Sequence, residues 1–184
     1  MSPASLSTLR LPIPWEALGM PTMPLLGSTT VIDGDRPAWA WTGPAPSFPI
    51  EECEDSAGSP VDGWVTDHVV LLVPDIEEAV AVLAEAGHRP RLRMEVKGRP
   101  TAFFRVGPVL EVIRSPVRAP ALYGVALATE EALEVVALRW RSLGFEVTDP
   151  RPAIQAGRRI MTVRGLAAGL AVMSMDRAVQ PDRS

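Results

Sequence analysis

Between Val65 and Met175 one order of elements occurs twice, and this duplication constrains the fold more than any single motif. In the first copy an apolar run, His68–Val73, ends at Pro74 and gives way to Asp75, a helix N-cap residue type, with Glu78 at capping-box spacing. Ile76, Ala79, Val80 and Leu83 recur at helical spacing as far as Ala86, and Gly87 supplies a stop. Strands are predicted at Pro90–Val96, Thr101–Val106 and Val109–Arg114, divided by Lys97–Gly98 and Gly107–Pro108 turns. In the second copy Tyr123–Ala128 leads, with Thr129 as N-cap, into a helical face of Leu133, Val136, Ala137 and Trp140 that Gly144 closes. Phe145–Asp149, Arg158–Arg164 and Gly169–Met175 supply three more strands. A unit of about fifty residues used twice is an internal repeat. The predicted class is α+β: two β-α-β-β-β modules, 65–116 and 121–175.

The preceding segment, 1–64, has a different texture. Prolines in "LPIPW", "MPTMP" and "GPAPSFP" argue against helices and suggest an irregular arm. Ser28–Asp33 and Ala38–Gly43 are expected to form a hairpin on it, with Trp39 and Trp41 on one face, and Glu51–Gly63 is expected to be a linker. The polar stretch 176–184 is expected to be a loose tail.

Bulk properties exclude several classes. A net charge of −4 provides no global field for nucleic acid or an anionic membrane. Runs such as Val69–Val73 are too short to cross a bilayer, and the N-terminus carries no sustained apolar stretch of the signal-peptide kind, so a cytoplasmic protein is the expectation. Cys53 is the single cysteine and lies among carboxylates in "EECEDS", which disfavours a reactive thiolate.

Two residues stand out chemically. His68 heads an apolar strand, and Glu111 lies inside another, "VLEVIR". A carboxylate in such a row is unfavourable unless paired, protonated or bound to metal. If Gly107–Pro108 is a two-residue turn, Phe104 faces Glu111 on one side of the sheet. Phe104 and Tyr123 are thus candidates to line a ligand site, and Arg159 in "AGRRIM" is a candidate to hold a substrate carboxylate or phosphate.

The duplicated unit, "DHVVLLVPDIEEAV" at its head and "LEVI" in its closing strand, resembles the vicinal oxygen chelate superfamily of glyoxalase-like and bleomycin-resistance-like proteins. The resemblance implies a cavity between two modules, with His68 and Glu111 as metal ligands and catalytic groups. The metal would be a divalent ion such as zinc, nickel, manganese or iron. It implies a small organic ligand and either lyase, isomerase or dioxygenase-like chemistry or, as the alternative, metal-free sequestration. Overlaying the copies puts Tyr123 at the His68 position and Val172 at the Glu111 position, so one chain holds an incomplete ligand set. Some relatives pair modules across a homodimer, which would supply the rest.

Overall fold

The computed structural model describes residues 4–175. The tail expected at 176–184 lies outside the described residues. Strands β1 (Leu6–Leu11), β2 (Pro24–Leu26), β3 (Thr29–Asp33), β4 (Ala38–Trp41), β5 (Glu51–Glu52) and β6 (Ser59–Pro60) form one sheet, in the order β5-β4-β1-β3-β2-β6. The expected hairpin is therefore corrected: β3 and β4 never pair, because β1 lies between them, parallel to β3 and antiparallel to β4. The apolar positions Leu6, Leu9 and Leu11 drive this, being fully buried in the common core.

Module one comprises β7 (Trp64–Val73), α1 (Ile76–Glu85), β8 (Leu92–Val96), β9 (Arg99–Arg105) and β10 (Val109–Arg114). Module two comprises β11 (Ala121–Thr129), α2 (Leu133–Ser142), β12 (Glu146–Val147), β13 (Arg151–Pro152), β14 (Arg159–Arg164) and β15 (Gly169–Ser174). Their strands form a second sheet in the order β12-β14-β15-β11-β7-β10-β9-β8, with β13 on β14. The order is symmetric about the antiparallel β7–β11 seam, as a duplication requires. Asp75 caps α1 as its sequence position suggests, accepting from the backbone N–H groups of Glu77 and Glu78. Thr129 does not cap α2; its hydroxyl accepts from Glu131 N–H, and the helix starts only after Ala132.

One face of the large sheet is closed. Val69, Leu71, Val73, Leu110, Val112, Val125 and Leu127 share a single core with Ile76, Ala79 and Leu83 of α1, with Val136, Ala137 and Trp140 of α2, and with the N-terminal sheet. The arm locks onto this helical side. The Trp140 indole donates to the Leu18 carbonyl at 3.0 Å, Trp140 stacks on Trp64, and Trp41 lies against the buried His88 after α1. Buried aromatic pairs of this kind contribute roughly 1 kcal/mol each beyond the area they remove from water. The arm is thus integral to the core, not an appendage.

Candidate functional site

The other face carries the polar groups, and a one-residue irregularity in β7 puts them there. Ala126 pairs with His68 and Leu127 with Thr66, so Asp67 is an extra residue, a β-bulge. Trp64 and Thr66 before the bulge and Val69 and Leu71 after it all face the core. Asp67 and His68 both turn to the opposite side. On the neighbouring β10, Leu110 and Val112 face the core while Glu111 faces the same way as His68.

The result is a continuous chain of contacts. Arg158, immediately before β14, donates through Nη2 to Asp67 Oδ1 at 2.7 Å and through Nε to the Ser174 carbonyl at 2.9 Å. Asp67 Oδ2 lies 2.9 Å from His68 Nδ1, and His68 Nε2 lies 3.3 Å from Glu111 Oε2. The His68 and Glu111 side chains are 18% and 14% exposed, so they are largely shielded yet reachable. Burial alone would push the Asp67 carboxyl up, but hydrogen bonds from His68 and Arg158 and the Arg158 charge outweigh it and hold it below its ordinary value. Asp67 is therefore a carboxylate, and His68 donates Nδ1–H to it. Glu111 moves the other way: burial raises its pKa, Asp67 adds to the rise, and His68 and Lys97 oppose it. Two carboxyls on either side of one imidazole are thus pushed in opposite directions.

The geometry unites His68 and Glu111 but not the other residues singled out in the sequence. Phe104 is corrected: its ring is 1% exposed in the core, because the loop after β9 has three residues, Val106 to Pro108. The register slips by one, so that Glu111 pairs with Phe103 and Phe104 with Leu110. Tyr123 occupies a second bulge, opposite the junction of Val70 and Leu71, and is exposed, with its ring beside Gly169. Arg159 points away from the site and pairs with Glu134 of α2 at 2.7 Å. The neighbouring Arg158 is the buried one. Asp67 and Arg158 were missed in the sequence. Two adjacent polar residues, Asp67 and His68, inside an alternating strand were the available signal, because only a bulge lets both avoid the core.

The module overlay also shifts by one. Val109 of β10 pairs with His68, and Gly169 of β15 pairs with Gly124, so the counterparts of His68 and Glu111 are Gly124 and Ala171, not Tyr123 and Val172. Neither offers a donor atom. Among the described residues no group of three or more histidine, cysteine, aspartate or glutamate side chains is placed to hold a metal ion. Asp67 cannot complete the set, since its oxygens are taken by His68 and Arg158. The residues present do not fit a complete divalent-metal centre.

No family model and no curated protein matches this chain. Solved structures do. Methylmalonyl-CoA epimerase from Mycobacterium tuberculosis superposes with a TM-score of 0.51 at 17% identity, over 61% of this chain and 88% of that one. The chain has the vicinal oxygen chelate fold. A hypothetical protein from Bacillus halodurans shares it at a TM-score of 0.53 and 14% identity, over 65% of this chain and 100% of its own. So does a variant of the Streptomyces coelicolor epimerase in complex with 2-nitronate-propionyl-CoA, at 0.51 and 15%, over 63% and 97%. Each of these vicinal oxygen chelate structures is spanned almost whole by only a portion of this chain.

Proposed function

We propose that this protein is an isomerase-type enzyme of the vicinal oxygen chelate fold that moves a proton on a small organic metabolite, with His68 and Glu111 as its acid and base. The observation that carries the reading is the His68–Glu111 contact, oriented by Asp67 and Arg158 on the face of the sheet away from the core. Proton abstraction next to a carbonyl needs a base whose pKa lies nearer neutrality than an ordinary carboxylate, and burial supplies that shift to Glu111. His68, with Nδ1–H committed to Asp67, presents Nε2 to Glu111 and takes or returns the proton there. Asp67 and Arg158 are positioning residues. Because the donor set falls short of a metal centre, no step is assigned to a metal.

The substrate class is suggested by the epimerase structures that share the fold, one of them in complex with methylmalonyl-CoA. The test is solvent-deuterium incorporation into methylmalonyl-CoA, other acyl thioesters and 2-oxo acids, followed by mass spectrometry. Exchange by the native protein should fall by roughly a hundredfold or more in His68→Ala and Glu111→Gln. Sequestration without turnover is the second reading, favoured by the apolar, donor-free half of the face at Gly124, Ala126 and Ala171. Retention of a compound in equilibrium dialysis with no exchange of its protons would select it.

A further inference from the structure

The arginines of the two modules fall into two groups. Arg93 of module one and Arg139, Arg141, Arg159 and Arg164 of module two each have a carboxylate within ion-pair reach. In module one Arg99 and Arg114 have none among the described residues, and both line a cleft of about 390 Å³. The cleft forms where three strands end: Pro74 follows β7, Gly98 to Pro100 open β9, and Arg114 to Val117 close β10. No acidic side chain lines it. Pro74, Pro100 and Pro116 bring no N–H, and the Ser115 N–H is committed to the Val73 carbonyl. The side-chain donors at the cleft are the two guanidinium groups and the Ser115 hydroxyl. That hydroxyl oxygen accepts from Arg99 Nη1 at 3.4 Å, which orients the guanidinium and leaves its own O–H to donate.

We infer that this cleft is an oxyanion subsite, taking a phosphate or carboxylate group. Two guanidinium forks and a hydroxyl with no competing acid have the donor chemistry of such a group. Arg114 is three residues beyond Glu111 on β10, an odd step that turns its side chain to the opposite face of the sheet, so the cleft is a site in its own right and not an extension of the His68–Glu111 pair.

The probes are inorganic phosphate and malonate, titrated into the full chain at constant ionic strength and followed by backbone and arginine side-chain NMR. Saturable shifts at Gly98, Ser115 and the Arg99 and Arg114 Nε–H groups are expected for at least one probe. Binding should weaken by roughly tenfold in Arg114→Gln and in Arg99→Gln, and stay unchanged in the control Arg91→Gln. Tighter phosphate indicates a phosphoester ligand; tighter malonate indicates an organic acid. Non-saturable shifts, or equal weakening in Arg91→Gln, overturn the subsite. Because the readout is binding, failure of the deuterium exchange leaves this result standing, and the converse also holds.

Discussion

The two modules share one topology and one strand register, yet only the first carries a histidine and a carboxylate on the face away from the core, and the contrast comes down to backbone spacing. At His68 the bulge in β7 opens room for a side chain with partners on both sides. At the equivalent Gly124 a Cβ would sit 2.2 Å from the Gly169 carbonyl oxygen, a backbone atom that cannot swing aside. Module two therefore has no space for a ligand at that position. Duplication supplied two copies of the frame, and the close approach of β11 to β15 leaves only one able to hold a functional side chain.

The strongest way to break that comparison is to install the missing histidine. Gly124→His must push β11 and β15 apart in the middle of the sheet, so it is expected to cost about 3 kcal/mol or more, with aggregation or a fall in melting temperature of roughly 10 °C. A Gly124→His protein melting like the native one would show that space does not separate the modules.

Next in size is the tie between them. Arg158, in module two, is 7% exposed and holds Asp67 of module one. Arg158→Ala leaves a shielded carboxylate without its guanidinium partner and is expected to lower stability by about 3 kcal/mol. The double variant Asp67→Asn, Arg158→Ala should recover most of the loss in thermal melts. Equal melting of single and double variants would mean the ion pair does not couple the modules.

How much of this was legible in the sequence follows from the same contrast. Periodicities of 3.6 and 2 exposed both modules, their helices and the alternation that turns Glu111 out of the core. Features set by a single inserted residue were not legible: the Asp67 bulge, the three-residue loop that buries Phe104, and the one-place shift of the module overlay. An extra residue leaves composition unchanged while reversing every face beyond it. In the arm, β1 was hidden because pairing between strands distant in sequence leaves no local turn signal.

A smaller effect tests the electrostatics of the functional half. Since the folded pKa of Glu111 is raised, its contribution is favourable below the unfolded value, near 4.3, and is lost as pH rises through the folded value. Glu111→Gln should therefore be more stable than the native chain at neutral pH, by about 1 kcal/mol, with the advantage shrinking toward pH 4. Chemical denaturation across that range reads the difference. A gain that is flat with pH would show that Glu111 ionisation is not what burial opposes.

The smallest expected effect concerns metal, and it sharpens the comparison from the side of module two. A site that binds metal only in the folded state stabilises the fold in proportion to the logarithm of metal concentration over its dissociation constant. With one imidazole and one carboxylate the native site should bind weakly, so a chelator is expected to leave the melting temperature essentially unchanged. Ala171 pairs with Ala126, which pairs with His68, so residue 171 stands two strands from the histidine, about 10 Å. A glutamate side chain spans much of that gap on the same face. Ala171→Glu should then acquire a zinc-dependent rise in melting temperature that the chelator reverses, and the rise should vanish when His68→Ala is added. A large chelator effect on the native chain would instead reveal a third ligand beyond His68 and Glu111, and module one would then be complete without its partner.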